Sequence, residues 1–394
     1  MAITAVMNGK VITPAGILDD ADLLIEDGII LTVAVSHEMN IPPQAQTVDA
    51  QGMLIAPGYI DSHIHGSFGY DFSDATLDQI ITVLQKLPSV GVTTVLPTIG
   101  SSSEQDTLTA MDRLRQAKGK SVQGAAIAGV HLEGPYVNAS KRGAQPEQYL
   151  REPDLSQMQA YLDRFKGFVK MVTLAPELPG SLAMISFLKN NDVTVSLGHS
   201  AATFNETHKA IALGADRMAH FYNAMSPLHH REPGMVGAGL TFPAISLELV
   251  LDGHHVDAHV AALTHKIKST EKIILVTDAT QATGMPEGKY IRPGNREVWV
   301  KDGAVRFASG VLAGSILTME KAVQNGVKFL ETSIAEAVQM AAANPALNLQ
   351  LSHCGSLVPG KQADFLFLDE TYCVQQTYIA GTKVFDREHG KVKE

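Results

Sequence analysis

Short apolar runs alternate with helix-compatible segments between residues 59 and 277, and this alternation is the strongest constraint on the fold. Strand and helix in alternation predict a parallel sheet. Eight candidate strands over roughly 220 residues predict a (β/α)8 TIM-like barrel in an α/β protein. The strands are expected at 59–65, 93–97, 128–132, 170–174, 194–199, 217–220, 246–251 and 273–277, with helices at 77–87, 181–190 and 205–213 and a helical closing segment at 316–344.

Both ends of the chain have the texture of small β units, with short strands separated by turn residues. Neither end is long enough to bury a core alone. We therefore expect residues 1–56 and 358–394 to form one small β-sandwich domain, and residues 57–357 to form the barrel domain. The terminal strands are expected at 11–13, 21–25, 29–33, 363–368 and 374–381.

Composition and charge exclude several classes of protein. Hydrophobic residues make up 45% of the 394 residues and charged residues 18%, which is typical of a well-buried globular chain. The net charge of −10, with no basic cluster, argues against nucleic acid or an anionic membrane as a partner. The sequence has no signal-peptide pattern and no apolar run of about 18 residues. Two cysteines, Cys354 and Cys373, favour a reducing, cytoplasmic location.

Histidines and acids fall at the carboxyl ends of the predicted barrel strands, where functional side chains of such barrels project. His63 and His65 are two apart, so both can face the barrel mouth. Imidazole and carboxylate ligands suit zinc, iron, cobalt or nickel. The other histidines and acids at predicted strand ends are His131, Glu133, His199, His220 and Asp278.

Each of these residues also has a plain structural interpretation. A lone His-x-His pair occurs in many strands, and His199 or His220 alone would more often be a hydrogen-bonded core histidine. So many such groups, all at predicted strand ends, are hard to explain by packing. The sequence therefore favours a metal-dependent hydrolase. The histidines that keep the structural interpretation are His208, His229, His230, His259, His265 and His353.

Longer motifs carry a resemblance over nearly the whole chain. They are His131-Leu132-Glu133-Gly134-Pro135, Gly198-His199-Ser200, the segment His220 to Met225, and Thr277-Asp278-Ala279. With the His63-Ile64-His65 pair, they resemble the amidohydrolase superfamily. More narrowly, they resemble the N-acetylglucosamine-6-phosphate deacetylases and the closely similar galactosamine-6-phosphate enzymes.

The resemblance implies a metal centre and a catalytic acid. Glu133, His199 and His220 match the principal metal ligands, and Asp278 matches the catalytic aspartate. His63 and His65 resemble members that bind two metals, so one or two divalent ions are expected. Zinc is the first choice, with iron, cobalt, nickel or manganese open.

The resemblance also implies contacts to a sugar phosphate. Asn223, the backbone of Ala224, Arg231 and His255 match residues that hold this substrate, and His255 is preferred over its neighbour His254. Arg231 reaches the phosphate from the partner subunit in some relatives, which implies a homodimer. The alternative for Arg231 is a surface ion pair. Residues expected to close over the sugar are Ala144, Leu312, Ala313 and Gly314.

Gln145 differs from the residue that the deacetylases usually have at this position. Relatives usually carry a histidine here that polarises the substrate carbonyl, and a glutamine amide donates a hydrogen bond but carries no positive charge. Either a second metal takes over as Lewis acid or the substrate preference has shifted. Gln145 is kept as a catalytic candidate beside Asp278.

The implied activity is removal of the acetyl group from N-acetyl-D-glucosamine 6-phosphate, giving glucosamine 6-phosphate and acetate. The galactosamine epimer is an alternative substrate. Cyclic-amide or dipeptide hydrolysis is disfavoured, because such sites commonly use a lysine at the end of strand four and Lys170 lies at its start. A more remote alternative is an inactive barrel that binds sugar phosphates.

Overall fold

The computed structural model describes residues 2–120 and 123–388 of the chain. Their strands are β1 (Ile3–Thr13), β2 (Gly16–Glu26), β3 (Ile29–Val35), β4 (Gln46–Asp49), β5 (Leu54–Pro57), β6 (Tyr59–Ile64), β7 (Gly66–Ser67), β8 (Tyr70–Asp71), β9 (Val92–Gly100), β10 (Ala126–Ile127), β11 (Val130–Glu133), β12 (Val169–Leu174), β13 (Thr194–Leu197), β14 (Arg217–Met218), β15 (Ser246–Leu249), β16 (Ile273–Leu275), β17 (Gly288–Arg292), β18 (Arg296–Lys301), β19 (Ala304–Arg306), β20 (Phe365–Leu368), β21 (Val374–Ile379) and β22 (Thr382–Asp386). Their α-helices are α1 (Leu77–Lys86), α2 (Glu104–Lys118), α3 (Leu155–Arg164), α4 (Ser181–Lys189), α5 (Phe204–Ala212), α6 (Gly234–Thr241), α7 (Ala258–Ile267), α8 (Met319–Phe329), α9 (Ile334–Ala341) and α10 (Ala343–Asn348).

Eight parallel strands form the barrel, in the order β6, β9, β11, β12, β13, β14, β15 and β16. The wall closes where the end of β6 meets the segment after β16. Ile64 forms a parallel bridge with Ala279, and the Asp278 amide donates to the His63 carbonyl at 2.8 Å. The predicted TIM-like barrel is confirmed, and closure brings the ends of its first and last strands together.

The helices between the barrel strands begin where the sequence places caps. The predicted helices at 77–87, 181–190 and 205–213 match α1, α4 and α5 to within a residue at each end. Thr76 and Thr203 cap α1 and α5 in capping boxes with Gln79 and Glu206. The closing segment at 316–344 forms α8 and α9 and runs into α10.

Strands from both ends of the chain share one sheet, which confirms the small β unit built from the two termini. Its order is β22, β21, β20, β5, β1, β2 and β3, with β4 paired to β1. Its apolar cluster joins the two ends, because Val6, Leu23 and Ile25 belong to the same cluster as Phe365 and Phe367. The exact domain boundaries, after residue 56 and before residue 358, stay a prediction.

Five predicted barrel strands, at 59–65, 194–199, 217–220, 246–251 and 273–277, extend past the observed ends, and three of the excess residues are candidate metal ligands. His65, His199, His220 and Thr277 lie beyond the last residues of β6, β13, β14 and β16. His199 and His220 have φ of 48° and 27°, a backbone region that a strand cannot contain. The predicted extensions of β13 and β14 therefore fail because the backbone turns at His199 and His220.

A three-stranded antiparallel sheet, β17 to β19, is an addition that the sequence analysis did not predict. It lies between β16 and α8 in the chain and has its own small apolar core of Val298, Val300 and Val305. In the described part of the chain, no helix combines the length and the apolar character that crossing a membrane requires.

Candidate metal centre and active site

The Glu133 carboxylate, at the end of β11, lies at the centre of the barrel mouth. Its Oε1 is 3.1 Å from Nε2 of both His199 and His220, and these two nitrogens are 3.0 Å apart. The three side chains are buried. They form one compact group of donors that could hold a metal ion.

A second group shares the same carboxylate. Nε2 of His63 lies 3.3 Å from Oε1 of Glu133, and Nε2 of His65 lies 3.3 Å from Oε2. The Nε2 atom of His63 is buried and has no hydrogen-bond partner among the described residues. A buried ring nitrogen that faces a carboxylate without a hydrogen bond is suited to ligate a metal.

The donor set fits a divalent transition metal. The donor atoms within each group lie within 4.8 Å of one another. Imidazole nitrogen and carboxylate oxygen are ligands of zinc and of iron, cobalt or nickel, so the chemistry agrees while leaving the metal open. Because both groups contain Glu133, the site has room for one ion in either group or for two bridged by this carboxylate.

Asp278 lies beside the second group. Its Oδ1 is 3.4 Å from Nε2 of His65 and 3.8 Å from Nε2 of His63. Its backbone, like those of His199 and His220, has a positive φ, here 48°. A positive φ in a non-glycine residue costs of order 1–3 kcal/mol and is often found at functional sites. Three of the residues that contribute side chains to the barrel mouth, His199, His220 and Asp278, therefore have a backbone conformation that costs free energy.

The acidic groups of the site are held ionised by the imidazoles around them. Burial alone would raise the pKa of Asp278, but the hydrogen bond from His65 and the charges of His63 and His65 outweigh burial and lower it. The pKa of Glu133 is likewise lowered against burial, by the charge and hydrogen bond of His199. Both carboxylates are therefore anionic at neutral pH, ready to accept a proton or a cation.

Two buried charged residues that sequence reasoning missed lie beneath the metal centre. Glu248, on β15, accepts a hydrogen bond from Nδ1 of His63 at 2.8 Å and from the backbone N–H of His220 at 3.0 Å. Arg217, on β14, contacts Glu248 through its guanidinium. The signal was present in the sequence, since each is a charged residue inside a predicted buried strand.

Other polar groups support the floor of the site. His131 lies edge-on to His63, with ring centroids 4.8 Å apart, and contacts the hydroxyls of Thr98 and Thr173. Burial lowers the pKa of His131 well below its usual value, which keeps this ring neutral. His131 is therefore a satisfied structural histidine rather than part of the donor set.

A cavity of about 610 Å³ opens above the metal centre and joins it to most of the predicted substrate contacts. The metal centre contributes His65, Glu133, His199, His220 and Asp278. The predicted substrate residues that line the cavity are Ala144, Gln145, Asn223, Ala224, His255, Leu312 and Gly314. Arg292, Arg296 and Arg306, from the three-stranded sheet β17 to β19, also reach the cavity.

Two predicted substrate residues lie apart from this cavity. Ala313 is fully buried between Leu312 and Gly314, and its carbonyl accepts from Arg292 at 3.1 Å. Arg231 is exposed, outside the cavity of its own chain, and its guanidinium lies 2.8 Å from Nε2 of His230. A direct role for Arg231 in its own chain's site therefore has no support in the geometry.

His255 is oriented by a neighbouring carboxylate. Its Nδ1 lies 2.7 Å from Oδ2 of Asp252, whose other oxygen accepts the backbone N–H groups of His254 and His255. Burial lowers the pKa of His255, but the hydrogen bond and charge of Asp252 outweigh it and leave the pKa raised. This arrangement suits a cationic imidazole that binds an anion.

Gln145 bridges the backbone and the central carboxylate. Its Nε2 donates to Oε2 of Glu133 at 2.5 Å, and its Oε1 accepts the Ser101 N–H at 2.7 Å. The amide therefore fixes one oxygen of Glu133, the residue common to both donor groups. Its place at the cavity wall agrees with the sequence prediction of a site residue, but its hydrogen bonds point to bracing Glu133.

The fourth barrel strand, β12, is followed by a carboxylate, and no lysine lies at its carboxyl end. Lys170 lies near the start of β12, away from the strand's carboxyl end. Glu177, after β12, bonds Asn138, Ser200 and the Ala201 N–H. A lysine-bridged metal pair at this strand end is therefore excluded.

Comparison with known proteins identifies relatives that are amidohydrolases, as the metal-donor groups at the barrel mouth would suggest. Residues 54–384 match the Amidohydrolase family. N-acetylgalactosamine-6-phosphate deacetylase of Escherichia coli O157:H7 is 41% identical over 374 residues, or 94% of this chain and 97% of the relative. N-acetylglucosamine-6-phosphate deacetylase of Vibrio furnissii is 38% identical over 333 residues, or 84% of this chain and 83% of the relative.

Solved structures give the same result. The crystal structure of N-acetylglucosamine-6-phosphate deacetylase from Pasteurella multocida has a TM-score of 0.90 at 29% identity, covering 97% of this chain and 99% of that one. The crystal structure of N-acetylglucosamine-6-phosphate deacetylase from Thermotoga maritima has a TM-score of 0.87 at 35% identity, covering 97% of this chain and 100% of that one. The chain therefore belongs to the Amidohydrolase family and, within it, to the N-acetylhexosamine-6-phosphate deacetylases.

Proposed function

We propose that this enzyme hydrolyses N-acetyl-D-glucosamine 6-phosphate to glucosamine 6-phosphate and acetate. The observation that carries the proposal is one cavity in which metal-donor residues of both groups meet Asp278 and an anion-binding imidazole. Its lining includes His65, Glu133, His199, His220, Asp278 and His255. Relatives with N-acetylglucosamine-6-phosphate deacetylase in their names match most of the chain.

The galactosamine epimer is a second candidate substrate, and one observation favours it. The 41% identical relative from Escherichia coli O157:H7 is named for N-acetylgalactosamine 6-phosphate. The two substrates differ in the orientation of one hydroxyl group, so both fit the same chemistry at the amide and the phosphate.

The metal-binding residues of the proposal are Glu133, His199 and His220, with His63 and His65 forming the second group. Zinc is our first choice among the divalent metals that suit this donor set. When bound, such an ion polarises the amide carbonyl and makes the attacking water more acidic. Gln145 contributes by holding Oε2 of Glu133 in place.

Asp278 is the proposed general base and acid. Its carboxylate lies at the cavity wall beside the metal centre, where it can accept a proton from the attacking water. It can then return that proton to the leaving amine, which would otherwise depart as an unstable anion. Nε2 of His65 lies 3.4 Å from Oδ1 of Asp278, so the carboxylate is next to the second donor group.

The remote end of the cavity anchors the phosphate in this proposal. His255 supplies positive charge, Asn223 and the backbone of Ala224 supply polar contacts, and Ala144, Leu312 and Gly314 cover the sugar. Ala313 holds this covering loop through its carbonyl bond with Arg292. Binding energy from the phosphate, far from the reacting amide, orients the amide at the metal centre.

Steady-state acetate release from the two epimeric 6-phosphates, with metal content measured on the same sample, tests the proposed activity. We expect release from both, with higher kcat/KM for the glucosamine compound and at least one metal ion per chain. Higher kcat/KM for the galactosamine compound would reassign the preferred substrate. No release from either by metal-loaded enzyme would favour the inactive sugar-phosphate-binding alternative and refute the proposal.

Asp278→Asn tests the acid–base assignment. The change removes the proton acceptor while keeping the size of the side chain, so kcat should fall by about 10²–10⁴-fold. Metal content should stay at the wild-type level, because Asp278 is outside both donor groups. Asp257→Asn, which alters an exposed carboxylate capping α7, is the matched control and should retain wild-type kcat. A wild-type rate in Asp278→Asn would contradict the assignment.

The pH dependence of KM tests the phosphate contact. His255 is cationic below its raised pKa, so KM should be low there and should rise as the pH increases through that pKa. Asp252 and Asp278 favour the cation, and Arg306 opposes it. Asp252→Asn should shift the rise in KM to lower pH while leaving kcat largely unchanged. A KM profile that is the same in both proteins would contradict a charged His255 at the phosphate.

We also propose that the enzyme is a homodimer in the cytoplasm. Val260, Leu263 and Ile267 are exposed on α7 at a spacing that puts them on one face, as an interface requires. Arg231 is exposed and lies outside the cavity of its own chain, so in a dimer its guanidinium is free to contact the partner's substrate. Both cysteines are free, as expected in a reducing compartment.

Leu263→Asp tests the dimer. Leu263 is 55% exposed, so the charge should weaken the interface while the fold survives, and sedimentation should show more monomer. If Arg231 acts across the interface, KM should rise more than kcat falls. Leu347→Asp, at a residue 79% exposed on α10, is the control and should leave the dimer intact. Dissociation by the control alone would place the interface elsewhere.

A further inference from the structure

Glu248 contacts residues from both donor groups of the metal centre. One carboxylate oxygen, Oε2, accepts from Nδ1 of His63 at 2.8 Å and from the backbone N–H of His220 at 3.0 Å. His63 belongs to one donor group and His220 to the other. A single carboxylate oxygen therefore ties together two strand ends that carry metal-binding imidazoles.

Arg217 makes the burial of this carboxylate tolerable. Its Nε donates to Oε1 of Glu248 at 2.6 Å, and both side chains are fully buried. The guanidinium also donates to Ser62 at 2.9 Å and to Asn348 at 3.1 Å. An unpaired buried charge in this position would be strongly destabilising, and the arginine compensates the charge of the carboxylate. Through Ser62, the arginine also binds β6 at the residue just before His63.

The contact to Nδ1 determines which nitrogen of His63 is available. An imidazole that ligates a metal is neutral and carries one N–H, and the Glu248 carboxylate is a pure acceptor, so in the metal-bound state the proton of His63 lies on Nδ1. Nε2 is then the unprotonated nitrogen. It is the atom that faces Oε1 of Glu133 at 3.3 Å and lacks a hydrogen-bond partner in the described structure.

We propose that Glu248, compensated by Arg217, is a positioning residue that holds His63 in the Nδ1–H tautomer and thereby sets the metal affinity of the His63–His65–Glu133 group. The proposal rests on the metal-dependent function proposed above. Partners of this kind in other metal sites change affinity or activity by about 10–100-fold when mutated. Glu248 itself touches neither of the proposed reacting groups, Asp278 and the substrate amide.

Glu248→Gln is the direct test, because it keeps the side-chain size and removes the charge. Cobalt(II) titration of metal-free wild-type enzyme, followed by visible absorption and chelator competition, should resolve two equivalents. In Glu248→Gln, the equivalent assigned to the His63 group should bind about 10–100-fold more weakly. The equivalent at Glu133, His199 and His220 should change less, since Glu248 reaches that group only through a backbone N–H.

Glu177→Gln is the matched control. Glu177 also braces a strand end, through Ser200 and the Ala201 N–H, but it contacts no metal-binding imidazole. Both equivalents should keep wild-type affinity in this variant. Wild-type affinity for both equivalents in Glu248→Gln would overturn the positioning role while leaving the deacetylase proposal intact. A wild-type enzyme that binds no cobalt would overturn both.

A measurement on the unmodified protein keeps the test independent of whether Glu248→Gln folds. In zinc-loaded enzyme with ¹⁵N-labelled histidine, NMR should show His63 protonated at Nδ1 and ligating through Nε2. Glu248→Asp, which keeps the charge, should retain that signal with intermediate metal affinity. A proton on Nε2 of His63 in the loaded wild-type enzyme would refute the proposal.

Discussion

The Glu133 carboxylate is the group on which the rest of the site depends. Four imidazoles and the Gln145 amide converge on its two oxygens in a buried space. A buried carboxylate is costly unless cations or hydrogen-bond donors surround it, and the same carboxylate keeps protonated imidazoles tolerable. A metal ion bound here would displace the protons of these imidazoles to solvent and take over the compensation of the carboxylate charge.

The barrel provides the geometry that this convergence requires. Glu133 and the four imidazoles come from β6, β11, β13 and β14, which are well separated in sequence and meet at one end of the parallel sheet. Closure between Ile64 and Ala279 adds Asp278 from beyond β16. The positive φ of His199, His220 and Asp278 turns the backbone sharply at the strand ends. At these three residues the backbone leaves the barrel wall, and their side chains lie at the barrel mouth.

The sequence was sufficient to find the eight barrel strands and the chemically active residues near their ends, because the spacing of apolar residues and the type of side chain are local properties. His63, His65, Glu133, His199 and His220 could be found in this way. Glu248 could not be assigned, since its partner His63 lies 185 residues away and only the closed barrel brings them together. Its charge inside a predicted buried strand was the available signal.

Other features were missed for different physical reasons. The sheet β17 to β19 follows the last barrel strand, after the alternation of strands and helices that predicts the barrel has ended. Its strand Arg296–Lys301 nevertheless alternates exposed and buried residues as a half-buried strand does. Arg231 could be matched to a motif, but a motif does not reveal whether a side chain enters its own cavity or a partner's.

Gln145 and the His63–His65 pair are best understood together. A histidine at position 145 would add an ionisable ring to a mouth that already holds four imidazoles around Glu133. The glutamine amide instead stays neutral and spans the Ser101 N–H and Glu133. Because His63 and His65 complete a second donor group, a cation bound there could supply the positive potential that a histidine at 145 would provide. The neutral amide at position 145 and the histidine pair at 63 and 65 are therefore chemically complementary.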